Sequence, residues 1–402
     1  NERRIDDGLY WVGASDRRLE RFENMIPLRN GVSYNSYLFI DEKTCLFDTS
    51  DRHVAANFLE SVEYVLGDRP LDYLILQHVE PDHTSGIYEL IKRYPEITLV
   101  GQNKTFTFLK QFNGGKDLGV KTKEIKDGDT LSIGEHEFKF VTAPMVHWPE
   151  VFMSFETTTG TLFSADAFGS FGALAGNLFA DEVDFTEQFL NEARRYYLNI
   201  VGKQGASVQR LFKKIKGVDI KRILPLHGVG YRRAEDIAMM MEKYQAWSTY
   251  APEEKGIVLA YASMYGNMES TMQRLATHLA DEGIKGIRMY DLSETHPTDL
   301  VSEFHRFSHI VLGVINYNTT LYYPAFNLLH ELKENNFGHR KYSLLVSKSW
   351  GGRAEKIAHD ILQSMPEMEQ IGETFNILSS MTEEQDEALK ALAKEIAKDY
   401  NA

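Results

Sequence analysis

Apolar positions in the first half of the chain fall into short β-branched and aromatic runs separated by stretches of helical period. The runs predict strands over Tyr34–Ile40, Thr44–Asp48, Asp72–Gln77, Ile97–Gly101, Phe138–Ala143, Phe152–Thr157, Thr161–Ala165 and Ile223–Leu226. Helices are predicted over Val54–Leu66, Ser85–Tyr94, Lys104–Phe112 and from Phe185 to about Lys214. Early hairpin-like pairs followed by strand–helix units point to a mixed sheet covered by helices. Around Lys243–Lys255 the periodicity lapses into Ala-Trp-Ser-Thr-Tyr-Ala-Pro-Glu-Glu-Lys, which predicts an interdomain join between residues 1–250 and 251–402. Beyond it a regular alternation sets in. Its strands are Gly256–Ala262, Gly286–Asp291, His309–Val314, Tyr342–Ser347 and a weaker one near Thr374–Ile377, with a closing helix from Glu383 to about Lys398. Five parallel strands with right-handed crossovers make a doubly wound parallel sheet. The expected class is α/β throughout.

Composition narrows the chemistry. At 402 residues the chain is too long for one core. No apolar stretch approaches the ~20 residues of a membrane span. The opening Asn1-Glu2-Arg3-Arg4-Ile5-Asp6-Asp7 has no apolar core, so it does not read as a secretory signal, and the expected location is cytoplasmic. A formal charge of -14 with dispersed Lys and Arg argues against a nucleic-acid partner. The single cysteine, Cys45, lies in an apolar run and reads as a buried thiol. It excludes an intrachain disulfide, a Cys-rich zinc site and an all-cysteine iron–sulfur cluster. Any metal must then be held by His and carboxylate.

The predicted strand Asp72–Gln77 runs into His78-Val79-Glu80-Pro81-Asp82-His83-Thr84-Ser85-Gly86, placing four ligand-type side chains within six residues. Ligands bind at the carboxyl ends of strands in α/β proteins. Pro81 stiffens the turn, and Thr84 or Ser85 is expected to cap the next helix. A polar loop that merely faces solvent is the plain alternative. Three later strand ends repeat the pattern, with His147 in Met145-Val146-His147-Trp148-Pro149, Asp166 in Ala165-Asp166-Ala167, and His227 in Leu226-His227-Gly228. A lone histidine after a strand usually serves only as a surface hydrogen bonder. The order of a four-ligand loop, then His, Asp and His, is what carries the reading.

That order resembles the metallo-β-lactamase superfamily. Glu80, standing where hydrolases of the superfamily usually carry His, makes the chain similar to the flavodiiron proteins (A-type flavoproteins). The resemblance extends to Gly31-Val32-Ser33-Tyr34-Asn35-Ser36-Tyr37 and spans essentially the whole chain. It implies a metallo-β-lactamase-like αββα sandwich followed by a flavodoxin-like doubly wound parallel sheet. It further implies one iron on His78, Glu80 and His147 and another on Asp82, His83 and His227, with Asp166 bridging. A His83 that steadies the loop from just outside is the alternative for that residue. Two ferrous ions, three carboxylates and one bridging hydroxide (or oxo group) come to near-neutrality, which a buried site requires. The anionic, harder Glu80 favours redox iron over zinc.

In the second half, the strand Gly256–Ala262 opens through Ser263, Met264, Tyr265, Gly266, Asn267 and Met268 onto a helix N-terminus, an arrangement suited to a phosphate. It resembles the phosphate loop of flavodoxins, except that Met268 stands where a hydroxyl residue is usual. Loops containing Ile315, Asn316, Tyr317 and Asn318, and Ser349, Trp350 and Gly351, follow later strand ends. In flavodoxin-like domains such loops hold an isoalloxazine ring, so FMN is the expected cofactor. Trp350 reads equally as a packing residue at a loop base.

The resemblance implies a reductase of dioxygen to water, or of nitric oxide to nitrous oxide. The 402 residues carry no separate NAD-binding region and no rubredoxin-like cysteine pair, so electrons are expected from an external carrier, a rubredoxin-like protein or a reduced deazaflavin. A head-to-tail homodimer, or a dimer of dimers, is expected on the same grounds. Tyr196 or Tyr197 on the long predicted helix is a candidate proton or hydrogen-bond donor, against the plain reading of a buried structural tyrosine. Two rival readings are a metal-dependent hydrolase fused to a flavodoxin-like module and a flavin- and metal-binding redox sensor without turnover.

Overall fold

The computed structural model describes residues 2–402, which divide into compact units at 1–245 and 246–402. In the first unit, seven strands form one sheet in the order Arg3–Asp6, Leu9–Trp11, Tyr37–Ile40, Thr44–Phe47, Tyr73–Ile75, Thr98–Gly101 and Lys121–Glu124. A second sheet of five runs Thr130–Ser132, Glu137–Thr142, Phe152–Glu156, Thr161–Phe163 and Arg222–Leu224. The alternate inward residues of both sheets supply an aromatic core. Phe47 stacks on Phe163 at 4.2 Å, and Phe39 and Phe47 meet Phe138 edge-on at 5.1 and 5.0 Å. Amphipathic helices such as Ala55–Leu66 bury Phe58, Leu59, Val62 and Leu66 on the first sheet.

Strand direction decides where the chemistry collects. Glu137–Thr142 and Thr161–Phe163 are both antiparallel to Phe152–Glu156, and Arg222–Leu224 is parallel to Thr161–Phe163. The carboxyl ends of these three strands therefore share one sheet edge. His147, Asp166 and His227 all follow those ends.

Several predicted elements are resolved differently. Tyr34–Ile40 is two strands, Val32–Tyr34 and Tyr37–Ile40, because Asn35 and Ser36 turn inward to bond other loops. The helix expected over Ser85–Tyr94 breaks at Gly86, leaving a single turn, Pro81–Thr84, and a helix Ile87–Arg93. Neither Thr84 nor Ser85 caps the helix that follows, whose N-cap is Gly86; Thr84 Oγ1 donates to the Glu80 carbonyl and Ser85 Oγ to that of Pro81. The long helix from Phe185 is interrupted by a π turn, Tyr197–Val201, and a 3₁₀ turn, Gly202–Gln204, before Gly205–Ile215. π turns gather near functional sites. The helix Ala234–Ser248 runs through the first half of the join expected at Lys243–Lys255. The N-terminal strands were missed because their runs of two to four residues carry too little periodicity.

In the second unit, Glu254–Tyr261 pairs in parallel with Arg288–Asp291 and with Phe307–Tyr317, which pairs with Lys341–Lys348, which pairs with Phe375–Leu378. In chain order the strands lie 2-1-3-4-5, the flavodoxin-like arrangement whose ligand crevice is at the carboxyl ends. Phe307–Tyr317 runs past the expected end at Val314 and turns back through Asn318 and Thr319, at φ 49° and 63°, into Thr320–Leu321. Among the described residues no helix is long and apolar enough to cross a membrane.

Candidate metal centre

The residues nominated from the sequence converge into two groups in which the ligand atoms lie within 4.8 Å of one another: His78, Glu80, His147 and Asp166, and Asp82, His83 and His227. Asp166 faces both. Its Oδ2 lies 3.5 Å from His78 Nε2 and 3.0 Å from His147 Nε2, while Oδ1 lies 3.2 Å from His83 Nε2 and 3.8 Å from His227 Nε2. Glu80 Oε2 is 3.3 and 3.2 Å from the Nε2 atoms of His78 and His147, and Asp82 Oδ2 is 3.4 Å from those of His83 and His227. Ligands held at about 2.0–2.2 Å by one ion lie roughly 3.0–3.5 Å apart along a tetrahedral or octahedral edge. All of these spacings but the 3.8 Å between His227 and Asp166 fit such edges. His83 Nε2 points at Asp82 and Asp166 with the other nominated side chains.

Both oxygens of Asp82, Oδ1 of Asp166, and Nε2 of His83, His147 and His227 are buried without a hydrogen-bond partner. Buried polar atoms left in that state are costly, and six converging on two points fit a pair of cations. The electrostatics agree. Burial disfavours protonated imidazole, yet Asp166 and Glu80 push His147 up to about 9. Asp166, Glu150 and Glu80 raise His78 well above its usual value in the same way. Burial would raise the Asp166 carboxyl, but His78 and His83 hold it well below the carboxylate range. The surplus of negative charge favours a bound cation.

The supporting groups explain sequence motifs that carried no role of their own. Asn35 donates to the carbonyls of Pro225 and Gly228 and accepts from Trp11 Nε1, Tyr37 Oη donates to Pro225, and Ser33 Oγ accepts from the Gly228 amide. The segment Gly31–Tyr37 is thus the bracket that holds the His227 loop. His227 Nδ1 lies 2.7 Å from the Ser33 carbonyl, which fixes Nδ1 as the protonated nitrogen and leaves Nε2 free to ligate. Thr49 grips the other loop, its amide and hydroxyl both donating to the His83 carbonyl. Asp48 Oδ1 accepts the amides of Gln77 and His78. Glu150, missed from the sequence, sits behind His78 with Oε1 2.8 Å from Nδ1. Its position three residues after His147 was the only available signal. Asp48, Met145, Ala165 and Phe168 all have φ between 50° and 68°. Left-handed backbone at non-glycine residues costs roughly 1–3 kcal/mol each and clusters at functional sites.

A cleft of about 680 Å³ opens onto Glu80 and Asp82, lined also by Phe22, Glu23, Tyr34 and Arg52. Burial of its carboxyl and the neighbouring Glu80 push Glu23 up to about 7. Of the two candidate tyrosines, Tyr196 packs on His227 at 5.4 Å with its hydroxyl buried and unpartnered. Tyr197, the other candidate, packs on Tyr244 at 4.7 Å.

In the second unit, Gly266 (φ 86°) starts the helix Asn267–Asp281, and Ser263 Oγ accepts its amide at 3.1 Å. Met268 is buried, its sulfur against the strand at Gly313, so only its backbone amide remains available to a phosphate. Asn316 Oδ1 accepts the Ala354 amide and stitches two loops together, so that oxygen holds the crevice rather than a ligand. Met264, Tyr265 and Trp350 are exposed, Tyr317 is half-buried against Tyr322 and Tyr323, and Ser349 Oγ accepts from Ser379 Oγ. The Ile315 carbonyl is taken by the Tyr322 amide. Gly351 is exposed, and Asn318 belongs to the hairpin turn.

Comparison with known proteins adds three observations. Residues 32–228 match the model of the ODP family beta lactamase. The chain is 27% identical to the anaerobic nitric oxide reductase flavorubredoxin of Vibrio vulnificus over 88% of its length and 72% of that protein, and 27% identical to a nitric oxide reductase of Moorella thermoacetica over 90% and 89%. The rubredoxin oxygen:oxidoreductase from Desulfovibrio gigas superposes with a TM-score of 0.92 at 26% identity, covering 100% of this chain and 99% of that one.

Proposed function

We propose that the chain, which is similar to flavorubredoxin-type nitric oxide reductases and to a rubredoxin oxygen:oxidoreductase, is an oxidoreductase of flavodiiron type that draws electrons from an external carrier and reduces dioxygen to water, nitric oxide to nitrous oxide, or both. Asp166, turned with one oxygen to each ligand group, is the observation that carries the reading, since a carboxylate so placed serves a pair of ions. In this reading His78, Glu80 and His147 hold one iron, Asp82, His83 and His227 the other, and the loops at 263–268, 315–318 and 349–351 hold FMN. Two ferrous ions and one reduced flavin together store the four electrons that dioxygen reduction consumes, or twice what coupling of two nitric oxide molecules requires.

The chain's own residues supply the rest. The loops that carry the seven imidazoles and carboxylates are pre-set by Ser33, Asn35, Thr49, Asp48 and Glu150, so little reorganisation accompanies the reaction. The cleft between Phe22, Tyr34 and Arg52 admits a small gas to the Glu80–Asp82 face. Tyr196 presents an unpartnered hydroxyl near that face and is the proposed proton or hydrogen-bond donor. The flavin loops and the metal ligands lie in different units of the chain. The proposed assembly is a head-to-tail homodimer, which would bring the flavin loops of one copy to the metal ligands of its partner. The proposed donor is a rubredoxin-like protein or a reduced deazaflavin, acting in the cytoplasm.

The test mixes anaerobically reduced protein with oxygen and with nitric oxide and follows flavin and iron reoxidation separately. Rapid reoxidation by either gas is expected. Slow reoxidation by both, or protein purified with near-stoichiometric zinc and little iron, would return the reading to a sensor or a hydrolase.

A further inference from the structure

We infer that Glu150 makes the two metal positions unequal, so that the position of His78, Glu80 and His147 takes its ion first and holds it more tightly. The inference rests on the diiron reading and deepens it. The residues that face the ions do not themselves create the difference. Each position offers two imidazoles, one carboxylate of its own and one oxygen of Asp166. Solvent access does not favour the first position: the side chains of Glu80 and Asp82 are 15% and 12% exposed, and His147 is 10% exposed where His83 and His227 are fully covered.

The difference lies one residue further back. His78 Nδ1 is 2.8 Å from Glu150 Oε1, and neither side chain has any exposed surface. The same oxygen accepts the Val79 amide at 3.1 Å, so it acts as an acceptor and the imidazole carries its proton on Nδ1. A carboxylate behind a metal-binding imidazole pulls on that proton, adds negative charge to the ring and makes Nε2 a stronger donor. In a dry setting the effect is not screened. At the other position His227 Nδ1 donates to a neutral acceptor, the Ser33 carbonyl, at 2.7 Å. His83 Nδ1 is buried without a hydrogen-bond partner. One imidazole of the first position is therefore backed by a carboxylate, while those of the second are backed by a peptide carbonyl or by nothing. Partners of this kind change metal affinity by about 10–100-fold.

Two neighbouring dications repel one another, so stepwise uptake alone decides nothing. The experiment isolates each position in the full flavin-loaded chain. His227→Ala leaves the His78 position intact, and His147→Ala leaves the Asp82–His83–His227 position intact. Each chelator-stripped variant is titrated anaerobically with cobalt(II), read by calorimetry and by the cobalt absorption bands. The His227→Ala protein is expected to bind its ion about tenfold or more tightly than the His147→Ala protein. Adding Glu150→Gln, which keeps the shape and removes the charge, is expected to weaken binding about 10–100-fold in the first background and to leave the second unmoved. Glu150→Asp, with the charge kept, is expected to recover part of the loss, which a merely structural role would not produce. Thermal unfolding of the stripped variants shows that each is folded. Equal affinities in the two backgrounds, or a Glu150→Gln effect of the same size in both, overturn the inference. A wild-type chain that takes fewer than two cobalt ions overturns the diiron reading itself, and the inference with it.

Discussion

Asparagine at position 166 removes one negative charge and one ligand oxygen while keeping the volume of the side chain. Asp166 spans the two ligand groups, with its oxygens 3.0–3.8 Å from the Nε2 atoms of four histidines. An amide matches only one side of that arrangement. Its oxygen serves one ion, and its NH₂ group points donors at the other. Leaving a buried charge without its partner costs about 3–5 kcal/mol, which at about 1.4 kcal/mol per decade is roughly two to nearly four orders of magnitude in affinity. Both ions are then expected to bind more weakly, and the one facing the NH₂ group is expected to be lost on dialysis. The loops proposed to hold FMN lie in the other unit and are expected to keep it. The assay is metal analysis of Asp166→Asn after exhaustive anaerobic dialysis, with flavin content from absorbance and a melting curve to show a folded chain. Two irons retained per chain at wild-type affinity would refute the bridging assignment. Loss of iron and flavin together would show instead that the substitution had damaged the fold.

Other substitutions separate scaffold from chemistry. Asn35→Ala strands two buried carbonyls and the Trp11 indole N–H; it should cost about 1–3 kcal/mol in a urea titration and loosen the ion held by His227. Gly266→Ala meets no neighbour within 4 Å but forces a side chain into φ 86°; about 1 kcal/mol of backbone strain should appear as weaker flavin retention, read by flavin fluorescence. Tyr196→Phe removes an unpartnered hydroxyl, so stability should hold while stopped-flow reoxidation slows tenfold or more if that group donates a proton. Glu182 is held down to about 2, chiefly by the Arg3 hydrogen bond against the opposing effect of burial. A depressed carboxyl stabilises the fold above its unfolded value and loses that contribution as pH falls towards its folded one. Glu182→Gln should therefore lower the urea midpoint at pH 7, and the gap should close between about pH 4.5 and pH 2.

The parts of the site legible in the sequence are those whose chemistry and whose place at a strand end coincide. His78, Glu80, Asp82 and His83 share one loop, and His147, Asp166 and His227 each follow an apolar run, so residue type and periodicity reinforced each other. Glu150 and Asp48 carried no such signal, because their roles come from contacts 72 and 30 residues away in the chain. The choice between Tyr196 and Tyr197 was equally hidden. Neighbours on a helix differ by about 100°, so only one of the two can face His227, and that one is Tyr196, the last residue before the π turn. Asn316 carries a second role that its type did not show: its Oδ1 accepts the Ala354 amide at 3.0 Å and ties two loops together. In each case the sequence specifies donors and acceptors, and only the crossing of sheet edges and loops decides whether their partner is the protein or what it binds. Asn35 shows the rule from the other side. Its amide and carbonyl are all committed within the fold, whereas the Nε2 atoms of His83, His147 and His227 are buried with nothing in the protein to bond them. A group that the fold positions this closely and leaves unsatisfied is one whose partner comes from outside the chain.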